Sequence, residues 1–188
     1  MKQYFPFFIL ILLISCKSNE KTYQRLSGSA LGTSFSAIYE DKENRNFEME
    51  IDSLFHSINQ SLSTYIPESD ISAINRGDTA VRTDRYFEEV FIKSEKIYRE
   101  TDGFFDPTIG ILVNAWGFGP EPATDSLDSA KIESLLKGVG LDNIRIENHK
   151  ISAKSYPFYL DFNAIAKGYT VDILGRFLES KNIKNYLI

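Results

Sequence analysis

Cysteine is nearly absent from this chain of 188 residues: the single one, Cys16, can close no internal disulfide and supplies neither a CxxC redox pair nor a cysteine-rich zinc site. Basic residues number 21 against 26 acidic ones, and the net charge of -5 leaves no sequence-wide positive field to hold nucleic acid through its phosphates. No apolar run reaches the ~20 residues that a membrane-spanning helix needs. Internal repeats and low-complexity stretches are missing as well. What is there is 43% hydrophobic and 25% charged, the balance of a folded chain, and the length suits one domain or a domain and a piece.

The position of Cys16 gives it a meaning. Lys2 precedes an apolar run over residues 5–14, and Leu13-Ile14-Ser15-Cys16 leads abruptly into the polar Lys17-Ser18-Asn19-Glu20-Lys21. Ten residues at helical rise span about 15 Å, half a bilayer's hydrocarbon core, so the run reads as a removable export signal. The junction resembles a bacterial lipobox, whose cysteine thiol receives a diacylglycerol. The expected division is a signal peptide over residues 1–15, a lipid-anchored tether over 16–27 and a folded domain over 28–188. The expected location is the cell envelope, on the periplasmic or exterior side of a membrane.

Within the domain, alternation of Phe35, Ala37 and Tyr39 with polar neighbours predicts a strand over residues 33–39. Ile51, Leu54, Phe55, Ile58 and Leu62 recur every three or four residues and predict a helix that residues 63–67 end. A second stripe, Phe87, Val90, Phe91, Ser94, Ile97 and Tyr98, predicts another, capped by Thr83 or Asp84 and stopped at Gly103. Residues 104–122 fit neither period and read as a long structured loop. A short helix is expected over 128–137, a hairpin around Asn148-His149, a buried strand over 159–162 and a helix from Ala164 onward. His56 and His149 fall on solvated positions. Residues 183–188 look like the opening of a further strand, and the sequence reads as truncated at its C-terminus; a docked terminal strand is the alternative.

Two segments carry chemistry. In Asp161-Phe162-Asn163-Ala164-Ile165-Ala166-Lys167-Gly168, a lysine one turn into a helix stands beside unpaired backbone N–H groups, the elements of a phosphate site, while Asp161 could accept hydrogen bonds from a sugar or base. A solvated lysine with Asp161 as a cap is the plainer reading. In Asp102-Gly103-Phe104-Phe105-Asp106-Pro107-Thr108-Ile109-Gly110, followed by Trp116-Gly117-Phe118-Gly119, neighbouring aromatics in a rigid loop suit a flat ring or, equally, pack as a local aromatic minicore.

Together these segments resemble the FAD:protein FMN transferases, the ApbE family. Leu31-Gly32-Thr33 resembles the family's Met-Gly-Thr opening, and Leu62-Ser63-Thr64-Tyr65 with Ser69, Ile71 and Asn75 its aromatic followed by Ser-x-(Ile/Leu)-x-x-x-Asn. Residues 103–110 match Gly-x-Phe-Asp-Pro-Thr-x-Gly, and residues 161–172 match Asp-x-x-x-Ile-Ala-Lys-Gly-Tyr-x-Val-Asp. The departures are Leu31 for methionine and Asn163-Ala164 where glycine is frequent.

The resemblance implies an α+β fold of two packed mixed lobes, T-fold-like, incomplete at its C-terminus, with FAD in the cleft between them. It implies a magnesium-dependent transfer of FMN from FAD to a threonine or serine hydroxyl of an exported protein, a subunit of a membrane redox complex, with release of AMP. A magnesium-dependent FAD pyrophosphatase and a lipid-anchored FAD-binding protein without catalysis are the alternatives. By position, Leu31, Tyr65, Phe104, Phe105, Asp106, Asp161 and Lys167 are carried over as FAD contacts, and the Ala164 carbonyl as a magnesium ligand. The remaining metal ligands and the catalytic base are expected beyond residue 188, so the 188 residues alone are expected to be inactive.

Overall fold

The computed structural model describes residues 21–124, 126–154 and 157–188; the expected signal peptide and Cys16 lie outside them. Two antiparallel strands open the fold, β1 (Tyr23–Ala30) and β2 (Thr33–Glu40), paired along their whole length from Tyr23 opposite Glu40 to Ala30 opposite Thr33. β1 takes up residues 23–27 of the stretch expected to be a tether. Its side chains are mostly exposed, so the sequence carries little apolar alternation there, and the strand exists through its ladder with β2. The short β5 (Tyr186–Leu187) pairs antiparallel with β2 on the other side, giving the sheet order β1-β2-β5.

The apolar stripes form helices as their period requires. α1 (Glu48–Leu62) buries Ile51, Phe55, Ile58 and Leu62, and α3 (Arg85–Glu100) buries Phe87, Val90 and Phe91 behind an Asp84 cap that accepts the Phe87 N–H at 2.8 Å. Between them lies α2 (Asp70–Asn75), too short to declare a period, whose N-cap Ser69 accepts from the Ser72 N–H. The stretch expected to be a long structured loop holds a 3-10 turn (Pro107–Ile109) and α4 (Gly110–Ala115). α5 (Ser129–Leu136) is capped by Asp128. The hairpin of β3 (Ile144–Glu147) and β4 (Lys150–Ala153) turns through Asn148 and His149, both at positive φ (52° and 61°), as a type I′ turn requires. α6 (Asn163–Ser180) is the longest helix described.

Residues 159–162 are not a strand of any described sheet. Phe158, Leu160 and Phe162 are buried while Tyr159 and Asp161 are half-buried, which reproduces the period of two, but the backbone of Leu160 is bonded to a side chain instead of a neighbouring strand. Two apolar cores result. One gathers α1, α2, α3, the β3–β4 hairpin, this extended segment and the first half of α6; the other gathers β2, Phe47, the first half of α1, the second half of α6 and Ile183. Leu31 and Leu54 pack against both. Among the described residues no helix is long and apolar enough to cross a membrane.

Candidate functional site

The start of α6 is fixed before the helix begins. Asp161 donates its N–H to the Pro107 carbonyl at 2.8 Å and turns its carboxylate back to accept the Asn163 N–H at 2.7 Å, filling one of the orphan donors of the first turn. Asn163 donates its side-chain amide to Thr64 Oγ1 at 3.3 Å, joining this turn to the loop after α1. Lys167 lies four residues beyond Asn163 and so shares its face of the helix.

The loop after α1 carries Tyr65, 62% exposed, and is tied down by serines: Ser69 Oγ donates to the Ser63 carbonyl at 2.6 Å and Ser72 Oγ reaches the same oxygen at 3.3 Å. Opposite stands the β1–β2 turn, made by Leu31 and Gly32, with φ of 49° and 71°. Leucine is rare in the left-handed region, since its Cβ crowds the carbonyl, at a cost of about 1–2 kcal/mol. Its half-buried side chain, packed on both cores, offsets that strain.

These three elements enclose a cleft of about 570 Å³ lined by Leu31, Gly32, Ile58, Asn59, Leu62, Ser63, Tyr65, Ile66, Asn163, Ala166 and Lys167. The volume falls within the range of small-molecule and cofactor sites. Apolar walls from α1 and the turn meet a polar end made by Asn163 and the Lys167 ammonium. The first-turn N–H groups of Asn163, Ile165 and Ala166 are already taken by Asp161 and the Phe162 carbonyl, so the charge that favours an anion here is that of Lys167. Of the carried-over residues, Leu31, Tyr65 and Lys167 share this cleft. Asn59, Ser63 and Asn163 also line it; the i, i+4 spacing of Asn59 and Ser63, which sets them on one face at the end of α1, is the signal by which the sequence could have shown two of them.

Phe104, Phe105 and Asp106 do not line it. Phe104 is 97% exposed, and Phe105 is half-buried. Asp106 caps the 3-10 turn, accepting from the Thr108 N–H at 2.8 Å and the Thr108 hydroxyl at 2.6 Å, while Thr108 Oγ1 accepts the Gly140 N–H at 2.7 Å. Burial, then the carboxylates of Asp142 and Asp106, pushes the nearby Tyr98 phenol up. The bond from Asp161 to Pro107 sets this loop beside the start of α6, so Asp106 and Asp161 belong to one connected unit.

Ala164 faces a different groove, between α3 and α6, with Lys93, Lys96, Glu100, Gly168 and Asp172. No group of three or more His, Cys, Asp or Glu gathers among the described residues. A backbone carbonyl alone does not hold magnesium, which takes six oxygens and ordinarily one or two carboxylates, so the described residues do not by themselves fit the ion. His56 is exposed on α1, and His149 Nδ1 lies 2.8 Å from Glu88 Oε1; the Thr83 hydroxyl and then this histidine hold the Glu88 carboxyl below its usual range. Neither histidine lines the cleft.

The fold is α+β, and its cleft pairs an apolar wall with the exposed ammonium of Lys167. The family is shown by comparison with known proteins: residues 31–188 match the model of the ApbE family, and the chain belongs to that family. It is 30% identical over 186 residues to a FAD:protein FMN transferase of Vibrio cholerae serotype O1, covering 95% of this chain and 55% of the relative, and 30% identical over 189 residues to that of Haemophilus influenzae, covering 94% and 54%. The structure of the flavin transferase ApbE from Vibrio cholerae superposes with a TM-score of 0.80 at 29% identity, over 88% of this chain and 56% of that one. The apo flavinyl transferase ApbE of Pseudomonas stutzeri, at 24% identity and a TM-score of 0.79, shares the fold over 89% of this chain and 55% of that one. The chain spans about half the length of the curated relatives it matches.

Proposed function

We propose that this chain binds FAD in the cleft between the β1–β2 turn, the end of α1 and the start of α6, and that it serves an FAD:protein FMN transferase. The observation that carries the reading is the convergence of Leu31, Tyr65 and Lys167, from three separate stretches of sequence, on one cleft with an apolar wall and an anion-favouring end. The names of the relatives support it.

In this reading Leu31, Ile58, Leu62 and Tyr65 hold the flavin side, and the Lys167 ammonium holds phosphate oxygens. Phe104, Phe105, Asp106 and Asp161 would meet the ligand from the loop beside α6, Phe104 by covering its exposed ring with a bound partner. The hydroxyl oxygen of a threonine or serine on the acceptor attacks the FMN phosphorus, the bond from that phosphorus to the bridging oxygen breaks, AMP leaves, and the hydroxyl proton passes to a base. A divalent cation such as magnesium would supply charge neutralisation to a pyrophosphate, but Ala164 faces the groove between α3 and α6 and the described residues offer no carboxylate set for the ion, so no step is assigned to it at this cleft.

The test is to incubate the chain, and a version carried through to the end of the gene, with FAD, magnesium and a peptide containing an acceptor threonine. FMN added to the peptide by the longer protein is the expected result. Free FMN and AMP without peptide modification would instead mark a pyrophosphatase, and FAD recovered intact would mark a binding protein.

We also propose that Cys16 is lipidated and anchors the protein to the outer face of a membrane, where exported subunits of redox complexes are the acceptors; the Leu13-Ile14-Ser15-Cys16 junction after a short apolar run supports this. In cells fed labelled fatty acid, label is expected on the wild type and lost in Cys16→Ala. Equal label on both would overturn the anchor.

A further inference from the structure

Asn75 ends α2 with its carboxamide against the backbone of Leu160. Leu160 donates its N–H to Asn75 Oδ1 at 2.8 Å, and Asn75 Nδ2 donates to the Leu160 carbonyl at 2.8 Å. That is the pair of bonds that an antiparallel neighbour would make, supplied here by one side chain. Leu160 is fully buried, so losing the pair would leave two backbone groups unmet away from water.

Immediately after Leu160 comes the turn that begins α6: Asp161 bonded to Pro107, its carboxylate on the Asn163 N–H, and Asn163 on Thr64. Six residues before Asn75 stands Ser69, fully buried, whose hydroxyl fixes the Ser63 carbonyl in the loop that carries Tyr65. A single short helix therefore holds the Tyr65 side of the cleft through its N-cap and the Lys167 side through its last residue.

We infer that Asn75 is a positioning residue of the cleft: its carboxamide sets the distance between the loop bearing Tyr65 and the turn of Asp161 and Asn163 from which α6 carries Lys167, and so sets the affinity for the anionic ligand, without touching it. This rests on the reading of the cleft as the FAD site.

Asn75→Asp separates this role from bulk. Its carboxylate has the same shape and still accepts from the Leu160 N–H, but it has no proton for the Leu160 carbonyl; the protonated acid has one. The ionisable groups around it include the Tyr159 phenol, which lies against Asn75 and Asn114, is pushed up by burial and then by the Glu121 and Asp161 carboxylates, and stays neutral, and the Asp161 carboxylate, which accepts the Asn163 N–H. Held against the carbonyl oxygen of fully buried Leu160, the new carboxylate is disfavoured in its charged form and its pKa rises above the ordinary value of about 3.9, so as pH falls from about 7.5 to about 5 the variant should recover FAD affinity while the wild type stays flat. Expected at the higher pH is about a tenfold weaker FAD affinity, the equivalent of one lost hydrogen bond.

The experiment measures FAD binding by flavin fluorescence across that range for wild type, Asn75→Asp and Asn75→Ala, with thermal midpoints, and amide hydrogen exchange at Leu160 and Asn163 without ligand. Faster exchange at both amides with weakened, pH-recoverable binding in Asn75→Asp supports the inference. Unchanged exchange overturns it whatever FAD does, and faster exchange with wild-type FAD affinity overturns it too. A wild type that binds no FAD refutes the FAD reading instead; wild-type exchange in Asn75→Asp would then also remove the clamp, and faster exchange would leave it as a clamp for another ligand.

Discussion

The Asp161 N–H donates to the carbonyl of Pro107 at 2.8 Å, and this bond joins the segment of residues 102–110 to the segment of residues 161–168. Gly110 makes the approach possible. A Cβ there would stand 2.6 Å from Tyr159 Cδ1, 3.0 Å from Asp161 Cβ and 3.1 Å from the Tyr159 carbonyl, two of these on parts that cannot swing away.

Gly110→Ala is therefore expected to destabilise by about 1–3 kcal/mol, as overpacking does, and to displace Asp161. Urea denaturation gives the first quantity and FAD titration the second. Wild-type values of both would mean that the loop and the extended segment separate without consequence.

Lys167 is exposed, lines the cleft and makes no ion pair among the described residues, unlike Lys93, which lies 3.5 Å from Asp172. Removing a charge-assisted contact to phosphate costs about 1.5–3 kcal/mol, so Lys167→Ala should weaken FAD binding roughly ten- to hundredfold with little change in thermal midpoint. Equal affinity in a fluorescence titration would make Lys167 an ordinary surface lysine.

Leu31→Gly opposes two effects. Relief of the left-handed strain returns about 1 kcal/mol, and loss of a half-buried leucine side chain removes a similar amount, so stability should stay within about 1 kcal/mol of wild type. Affinity for FAD should nevertheless fall about fivefold, because the apolar wall is gone. A large drop in thermal midpoint with unchanged affinity would assign Leu31 to core packing alone.

Asp41, 3% exposed, accepts from Arg45 Nε at 2.8 Å, Nη2 at 2.9 Å and the Arg45 backbone N–H at 2.8 Å. The Arg45 guanidinium, which also donates to the Lys181 carbonyl at 3.0 Å, holds the Asp41 carboxyl at about 2, below its ordinary 3.8. A carboxyl with a depressed folded pKa stabilises above its unfolded value and loses that contribution as pH falls through the folded one. Asp41→Asn should thus cost about 2 kcal/mol at neutral pH, and its deficit against wild type should shrink between pH about 4 and about 2. A deficit constant across that window would show that the pair contributes nothing through ionisation.

The long helices and the hairpin were legible because their signals are local. Three or more apolar turns set α1 and α3, Asp84 and Asp128 stand where a cap must, and Asn148-His149 takes the positive φ that a type I′ turn demands. β1, α2 and α4 were not, since a strand with one weakly buried face and helices of six residues leave no period to read.

The pattern of Phe158, Leu160 and Phe162 determined which side chains turn inward, but not what would meet the backbone between them; tertiary structure supplied a side chain, Asn75, from another stretch of the sequence. The same division holds at the cleft. Residue order set Asn163 and Lys167 on one face of α6 and Ala164 on the next, as a pitch of 3.6 residues requires. That the first face meets Leu31 and Tyr65, while the second meets Lys93 and Glu100 of α3, was decided only by how α1, α3 and α6 pack, because burial of an apolar stripe fixes which face turns inward and leaves the choice of neighbour to the whole core.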